Sequence, residues 1–291
     1  MVITGHTKLL GIIGDPVEHS LSPLMQNAAI EKLGLNYAYI PFPVRGENLE
    51  QALNGFAAID LVGFNATIPH KQAIIPLLSE ITPAAQAIGA VNTVWRTQNG
   101  WKGMNTDVTG FIAPLKVMNR DWSNSTCVVL GNGGAARAVI AGLAQLGCPE
   151  INIVGRNRDK LARFWQSWHD SPQIASILKI HDWQNLSGLL PSTDLLVNTT
   201  PIGMSPHTEA SPVSEELMTK FPENAIAYDL IYTPSPTRFL SLAQNRGAKA
   251  IDGLEMLVQQ GAAALEIWLQ QPVPVDTMRR SLQEKLYGES S

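Results

Sequence analysis

Two groups of residues have the types and spacing that chemistry requires. The first is the run Gly131-Asn132-Gly133-Gly134-Ala135-Ala136, a Gly-x-Gly-x-x-Ala pattern. An apolar segment, 126–130, precedes it, and Ala136, Val139, Ile140, Leu143 and Leu146 follow at helical spacing. Strand, glycine loop and helix in that order are the context a dinucleotide-binding loop needs. Gly131 permits the tight turn, Gly133 removes a side chain where a pyrophosphate approaches backbone, and Ala136 lets helix and strand pack closely. The N–H groups at the helix start supply the anion site. The next strand, 151–154, ends in Gly155-Arg156-Asn157-Arg158-Asp159-Lys160. NAD-binding folds place an acidic residue near there for the ribose 2′-hydroxyl. Here the first residue past the strand is glycine and the charge that follows is basic. A guanidinium at Arg156 suits a 2′-phosphate, so the expected cofactor is NADP.

The second group is spread over the first hundred or so residues. It comprises His19-Ser20-Leu21-Ser22-Pro23, Asn65-Ala66-Thr67-Ile68-Pro69-His70-Lys71, Gly89-Ala90-Val91-Asn92-Thr93 and Gly103-Met104-Asn105-Thr106-Asp107. Ser22 with Pro23 reads as an N-cap followed by a first-turn proline, which leaves Ser20 without a structural reason. Lys71 opens an expected helix, 71–78, where its charge opposes the positive end of the macrodipole. A cation that gains nothing from its helix suits a general acid/base. Several of these polar residues follow strands, and open α/β sheets bind ligands beyond the carboxyl ends of their strands.

The elements that must position these residues alternate along the chain. Strands are expected at 9–13, 37–42 and 61–66, and helices at 24–33, 49–59 and 71–78. Segments 90–96 and 101–104 flank Gln98-Asn99-Gly100, a hairpin signal. A helical stretch, 108–118, and a polar tract then lead to strands at 126–130, 151–154, 177–180, 195–197, 226–229 and 249–251, with helices at 136–146 and 159–168. This alternation predicts a parallel α/β sheet. Leu254, Leu257, Val258, Gly261, Leu265 and Trp268 form one face of a late helix, and 278–287 a final amphipathic one.

With 291 residues and roughly 150 per domain, about two domains are expected. The formal net charge of −4 gives no electrostatic footprint for nucleic acid or an anionic membrane. The chain has 16% charged and 45% hydrophobic residues, which argues for a substantial core. Two cysteines, Cys127 and Cys148, make neither a disulfide framework nor a Cys-based zinc site. No signal peptide or 18-residue apolar run stands in the sequence, so a cytoplasmic protein in a reducing compartment is expected.

The ordered set of motifs, with Asp252-Gly253-Leu254-Glu255-Met256-Leu257-Val258 added, resembles the shikimate dehydrogenase family from about residue 9 to 269. The resemblance implies an α/β fold of two α/β domains. These are a substrate domain over 1–108, a crossing helix and linker over 109–124, a Rossmann-type NADP-binding domain over 125–252, and C-terminal helices, 253–291, that return to the substrate domain. It implies reversible reduction of 3-dehydroshikimate to shikimate. Carried over, Lys71 and Asp107 are the catalytic pair and Ser20 and Ser22 bind the substrate carboxylate. Thr67, Asn92 and Gln260 hold its hydroxyls, with Asp107 also touching substrate and Tyr232 near the carboxylate. Gly131, Asn132, Gly133, Gly134 and Ala135 hold the diphosphate. Gly155, Arg156, Asn157 and Lys160 lie on the 2′-phosphate side, and Thr199, Leu230 and Gly253 lie near the rest of the cofactor. Gly155 stands where many members carry Asn. His19 and His70 are read as structural, and no metal is called for. The expected partner is the small-molecule substrate, with the protein a monomer or homodimer. Two other readings stand beside this one: a quinate/shikimate dehydrogenase of broader substrate or NAD use, and an inactive ligand-sensing homologue. The second has no need of Lys71 or Asp107.

Overall fold

A computed structural model describes residues 2–288. The chain divides into two compact units. One runs from the start of the chain to Gly110 and resumes at Leu257; the other is Phe111–Met256.

In the first unit the chain forms β1 (Lys8–Gly14), α1 (Ser22–Lys32), β2 (Tyr37–Pro43), α2 (Leu49–Ala58), β3 (Gly63–Ala66), α3 (His70–Ala73), β4 (Glu80–Ile81), α4 (Pro83–Ile88), β5 (Thr93–Thr97), β6 (Gly100–Met104) and the start of α5 (Asp107–Lys116). Its sheet has the order β2-β1-β3-β5-β6-β4. β1 pairs in parallel with both β2 and β3, while β5 and β6 form an antiparallel hairpin closed at Thr97 and Gly100. β1 is buried over most of its length, as a central strand covered on both faces must be. Phe56, Phe64 and Trp101 meet in series, the first pair tilted and the second edge to face.

The second unit contains β7 (Thr126–Leu130), α6 (Gly134–Gln145), β8 (Glu150–Gly155), α7 (Arg158–Gln166), α8 (Pro172–Ala175), β9 (Leu178–Asp182), α9 (Leu186–Leu189), β10 (Leu195–Asn198), α10 (Glu215–Met218), β11 (Ile226–Asp229), α11 (Arg238–Asn245) and β12 (Lys249–Ile251). All six strands are parallel, in the order β12-β11-β10-β7-β8-β9. This is the doubly wound dinucleotide order, in which direction reverses between β7 and β10. Two hydrophobic clusters cover it, one holding Phe111, Val129, Ile140 and Trp168, the other Val128, Phe221 and Phe239. Cys127 and Cys148 are buried free thiols, their Sγ atoms 3.5 Å apart.

The chain returns to the first unit within α12 (Leu254–Leu269) and ends in α13 (Val275–Tyr287). Trp268 of α12 donates to the Val94 carbonyl at 3.0 Å, Gln26 of α1 donates to the Gly261 carbonyl at 2.9 Å, and α13 packs on α1. Among the described residues no helix is long and apolar enough to cross a membrane.

Two sequence expectations need correction. The N-cap of α1 falls one residue before the expected one: Leu21 holds that position, no side chain caps the helix, and Ser22 is the first residue of its first turn. The Ser20 hydroxyl instead accepts from the Ser22 N–H at 3.3 Å. The expected helix 71–78 is one turn, α3, followed by a 3-10 turn at Ile75–Leu77, because Pro76 has no N–H to continue an α-helix.

Candidate active site

Lys71 sits on α3, directly behind the end of β3, and Asp107 opens α5, directly behind β6. β3 and β6 flank β5 in the sheet, so these strand ends bring the two residues together. The Lys71 Nζ donates to Asp107 Oδ2 at 2.5 Å, with side-chain exposures of 19% and 8%. Short separation is typical of a charge-assisted bond. The partial exposure of Lys71 leaves its ammonium a way to reach a ligand.

The other oxygen, Asp107 Oδ1, accepts from Asn92 Nδ2 at 2.8 Å. Asn92 is 2% exposed and its amide is fully used. Oδ1 accepts from the Thr106 N–H at 2.7 Å, and Nδ2 also donates to Thr106 Oγ1 at 3.0 Å and toward Gln260 Oε1 at 3.4 Å. Asn105 holds the turn into α5, accepting from the Asp107 N–H at 3.0 Å and donating to the Ala90 carbonyl at 3.0 Å. Lys71, Asn92, Asp107 and Gln260 therefore form one hydrogen-bonded group. Thr67 lies at the end of β3, its N–H donating to the Ile13 carbonyl at 2.9 Å. A side chain at Gly14 would meet the Thr67 methyl at 2.6 Å. Ser20 lies on the loop into α1 and Ser22 opens the helix, and neither hydroxyl donates to another described residue. Tyr232 belongs to the other unit, half-buried between β11 and α11. His70 is fully buried and bonded through Nε2 to the Val44 carbonyl at 2.6 Å, which suits its structural reading. Thr93 and Thr106 had no assigned role; their only sequence signal was a place beside Asn92 and Asp107.

In the second unit the glycine loop leaves β7 at the point where strand order reverses. Gly131 has φ +105°, and a Cβ there would stand 2.8 Å from Thr199 Oγ1. Thr199 follows β10 and donates from both N–H and hydroxyl to the Leu130 carbonyl, at 3.0 and 2.7 Å. Gly133 and Gly134 are different: a Cβ on either would meet nothing within 4 Å. α6 begins at Gly134 without a side-chain cap, and first-turn N–H groups have no partner inside a helix. An open, side-chain-free cradle at a helix start fits a dinucleotide diphosphate. Past β8, Arg156 and Lys160 are exposed and their side chains have no protein partner among the described residues, whereas Arg158 is paired with Asp182 at 2.5 Å. Asn157, expected on the cofactor side, caps α7 through the Lys160 N–H at 2.9 Å. Gly155 has a packing reason: a Cβ there would come within 2.9 Å of Leu161, which occupies the space an Asn side chain would enter. Leu230 and Gly253 are brought together so closely that a Cβ on Gly253 would fall 2.1 Å from the Leu230 carbonyl oxygen.

One carboxylate in this unit stands apart. Asp229, fully buried at the end of β11, accepts from Asn198 Nδ2 at 3.0 Å, the Ile231 N–H at 3.1 Å and Thr237 Oγ1 at 2.7 Å. Burial still outweighs these donors and pushes its carboxyl up to about 6.

Residues 12–94 match a family model described as the shikimate dehydrogenase substrate binding domain, and residues 253–283 one described as the shikimate 5′-dehydrogenase C-terminal domain. A shikimate dehydrogenase (NADP(+)) of Crocosphaera subtropica is 63% identical over 287 residues, covering 99% of each chain. A crystal structure of a shikimate dehydrogenase in complex with NADP+ superposes with a TM-score of 0.90 at 38% identity, covering 98% of each chain. The Listeria monocytogenes shikimate 5-dehydrogenase, crystallised with shikimate and NAD, gives a TM-score of 0.86 at 33% identity over 96% of this chain and 98% of that one. Likeness of this extent, over both sheets and the returning helices, places the chain in the shikimate dehydrogenase family.

Proposed function

We propose that the chain interconverts 3-dehydroshikimate and shikimate with NADP, and that Lys71 and Asp107 manage the proton. The chain is an NADP-dependent oxidoreductase, as its curated relatives are. When bound, the nicotinamide gives or takes the hydride, so the protein's tasks are to orient the substrate carbon and move one proton. In the reducing direction Lys71 delivers the proton to the carbonyl oxygen that becomes the C3 hydroxyl; in the oxidising direction it takes that proton back. Asp107 keeps the ammonium aimed by accepting from it, and Asn92 holds the other carboxylate oxygen. Ser20 and Ser22 donate to the substrate carboxylate, Thr67, Asn92 and Gln260 hold its hydroxyls, and Tyr232 lies near the carboxylate. Gly131 to Ala135 hold the diphosphate, with Arg156 and Lys160 on the 2′-phosphate. The substrate residues other than Tyr232 thus belong to the first unit and the cofactor residues to the second.

The observation that carries this reading is the Lys71–Asp107 contact of 2.5 Å, joined to Asn92 on the carboxylate's other side. A free surface lysine has no such support. The test is initial-rate formation of NADPH from NADP+ and shikimate, run beside NAD+ and beside quinate. Shikimate with NADP+ is expected to be the fastest pair. A faster rate with quinate or with NAD+ assigns a different substrate or cofactor, and no rate with any pair removes the enzymatic reading.

A further inference from the structure

Behind Asp107 a line of buried polar groups runs into the first unit's core, further than its own support requires. Tyr39 is 2% exposed and donates from its hydroxyl to Asn65 Oδ1 at 2.7 Å. Asn65 Nδ2 then donates to Thr93 Oγ1 at 3.1 Å and to the Asn92 carbonyl at 2.9 Å. Thr93 Oγ1 donates to Asn92 Oδ1 at 3.0 Å and lies 2.9 Å from Thr106 Oγ1. Asn92 Nδ2 donates to Asp107, which accepts from Lys71 on its other side. Thr93 and Thr106 are fully buried, and Asn65 is 5% exposed.

The directions of the bonds from Tyr39 through Asn65 and from Asn92 to Asp107 follow from the two ends, while either hydroxyl can donate between Thr93 and Thr106. An ionised carboxylate can only accept, so Asn92 must present its NH2 group to Asp107 and turn its oxygen inward. At the far end burial pushes the Tyr39 phenol well above its ordinary range, which keeps it protonated and donating. That turns the Asn65 oxygen toward Tyr39 and its NH2 toward Thr93. A threonine hydroxyl has one hydrogen. Thr93 accepts from Asn65 and turns its own hydrogen to the inward oxygen of Asn92, which also accepts from the Thr106 N–H at 2.7 Å. Thr93 is thus where a polarity fixed in the core is handed to the amide that holds Asp107.

We infer that Thr93 is a positioning residue for the reaction: its hydroxyl fixes the Asn92 amide, and through it the Asp107 carboxylate, in the orientation that serves Lys71. The inference rests on Lys71 and Asp107 being the acid/base pair. Valine keeps the shape of threonine and lacks the hydroxyl. Thr93→Val is expected to lower kcat for shikimate oxidation about tenfold, the size of one hydrogen bond in a charged network. The KM for NADP+ should stay unchanged, and Thr93→Ser should recover most of the rate. A purely packing role makes the opposite pattern: serine, which lacks the methyl, would be as impaired as valine or worse. Should Thr93→Val fail to fold, Tyr39→Phe carries the test, because the ring remains beside Trp268, 6.0 Å centroid to centroid. It is expected to lower kcat about two- to fivefold with KM for NADP+ unchanged. Normal kcat in a folded Thr93→Val protein, or in Tyr39→Phe where valine does not fold, overturns the inference. Asp107→Asn is measured alongside. A slow Asp107→Asn with a normal Thr93→Val rejects only the positioning role, whereas a fast Asp107→Asn rejects the acid/base pair itself.

Discussion

The proposed role of Lys71 depends on its being held. An unpaired lysine explores many rotamers, and ordering one costs up to roughly 2 kcal/mol of side-chain entropy. The 2.5 Å contact with Asp107 fixes the ammonium before substrate arrives. Arg156 and Lys160 are the opposite case, exposed and without a side-chain partner among the described residues, as groups kept for a ligand phosphate are expected to be. Arg156→Ala should weaken NADPH binding by about 1.5–3 kcal/mol, the worth of a hydrogen bond to a charged group, and leave NADH binding unchanged. Isothermal titration with both cofactors checks this; equal losses for the two would make Arg156 a structural residue. At this scale the sequence carried Lys71, Asp107 and the glycines plainly, because each sits in a short run of unusual composition. It did not carry Thr93 or Thr106. A threonine beside an asparagine looks like any strand end until the fold shows that it is fully buried with both hydrogen-bonding roles in use.

Elements with strong local patterns came out where the residues put them. β7, β11 and β12 have the expected bounds; for β7 and β11 the reason is that strands buried on both faces cannot hide their composition. The missing ones lack local signals. β4 is two residues long and exists by pairing with β6. α11 follows Pro234 and Pro236 and is only eight residues, yet its N-cap Thr237 accepts from the Leu240 N–H at 3.3 Å and it buries Phe239 and Leu242. The start of α1 differs by one residue from its sequence signal, because Ser22 and Pro23 look like a cap pair while Leu21 holds the N-cap position. The β7–α6 loop separates backbone need from ligand need. Gly131→Ala places a Cβ against Thr199 at φ +105° and should cost on the order of 1–3 kcal/mol of stability, measured by urea unfolding. Gly133→Ala meets no protein atom within 4 Å, so stability should hold while NADPH affinity falls if the loop cradles the diphosphate as proposed. Unchanged NADPH affinity in Gly133→Ala would move the diphosphate elsewhere.

At the scale of the whole molecule, the buried Asp229 makes stability depend on pH in an uncommon direction. Its folded carboxyl titrates near 6, against about 3.9 in an unfolded chain. The folded state therefore binds this proton more tightly, and the stabilising contribution is full below pH 4 and lost as pH rises through 6. A gap of about two units corresponds to roughly 3 kcal/mol. Unfolding free energies of the native protein and Asp229→Asn, compared from pH 4 to 8, should diverge by up to about that amount as pH rises and run parallel above pH 7. Parallel curves throughout would mean that Asp229 ionises in the fold as easily as in solution. The central claim, however, is that two side chains of the first unit move the proton for a hydride reaction whose cofactor residues lie in the second. The most direct test is a double-mutant cycle on kcat with Lys71→Ala, Asp107→Asn and both together, with shikimate and NADPH binding titrated for each. Lys71→Ala is expected to lose about 10²–10⁴-fold in kcat, the usual worth of a general acid/base. Its shikimate binding should change far less, and the combined variant should be little slower than the worse single one, because the pair acts as a unit. Near-normal turnover in Lys71→Ala, or losses that multiply in the double variant, would contradict the account.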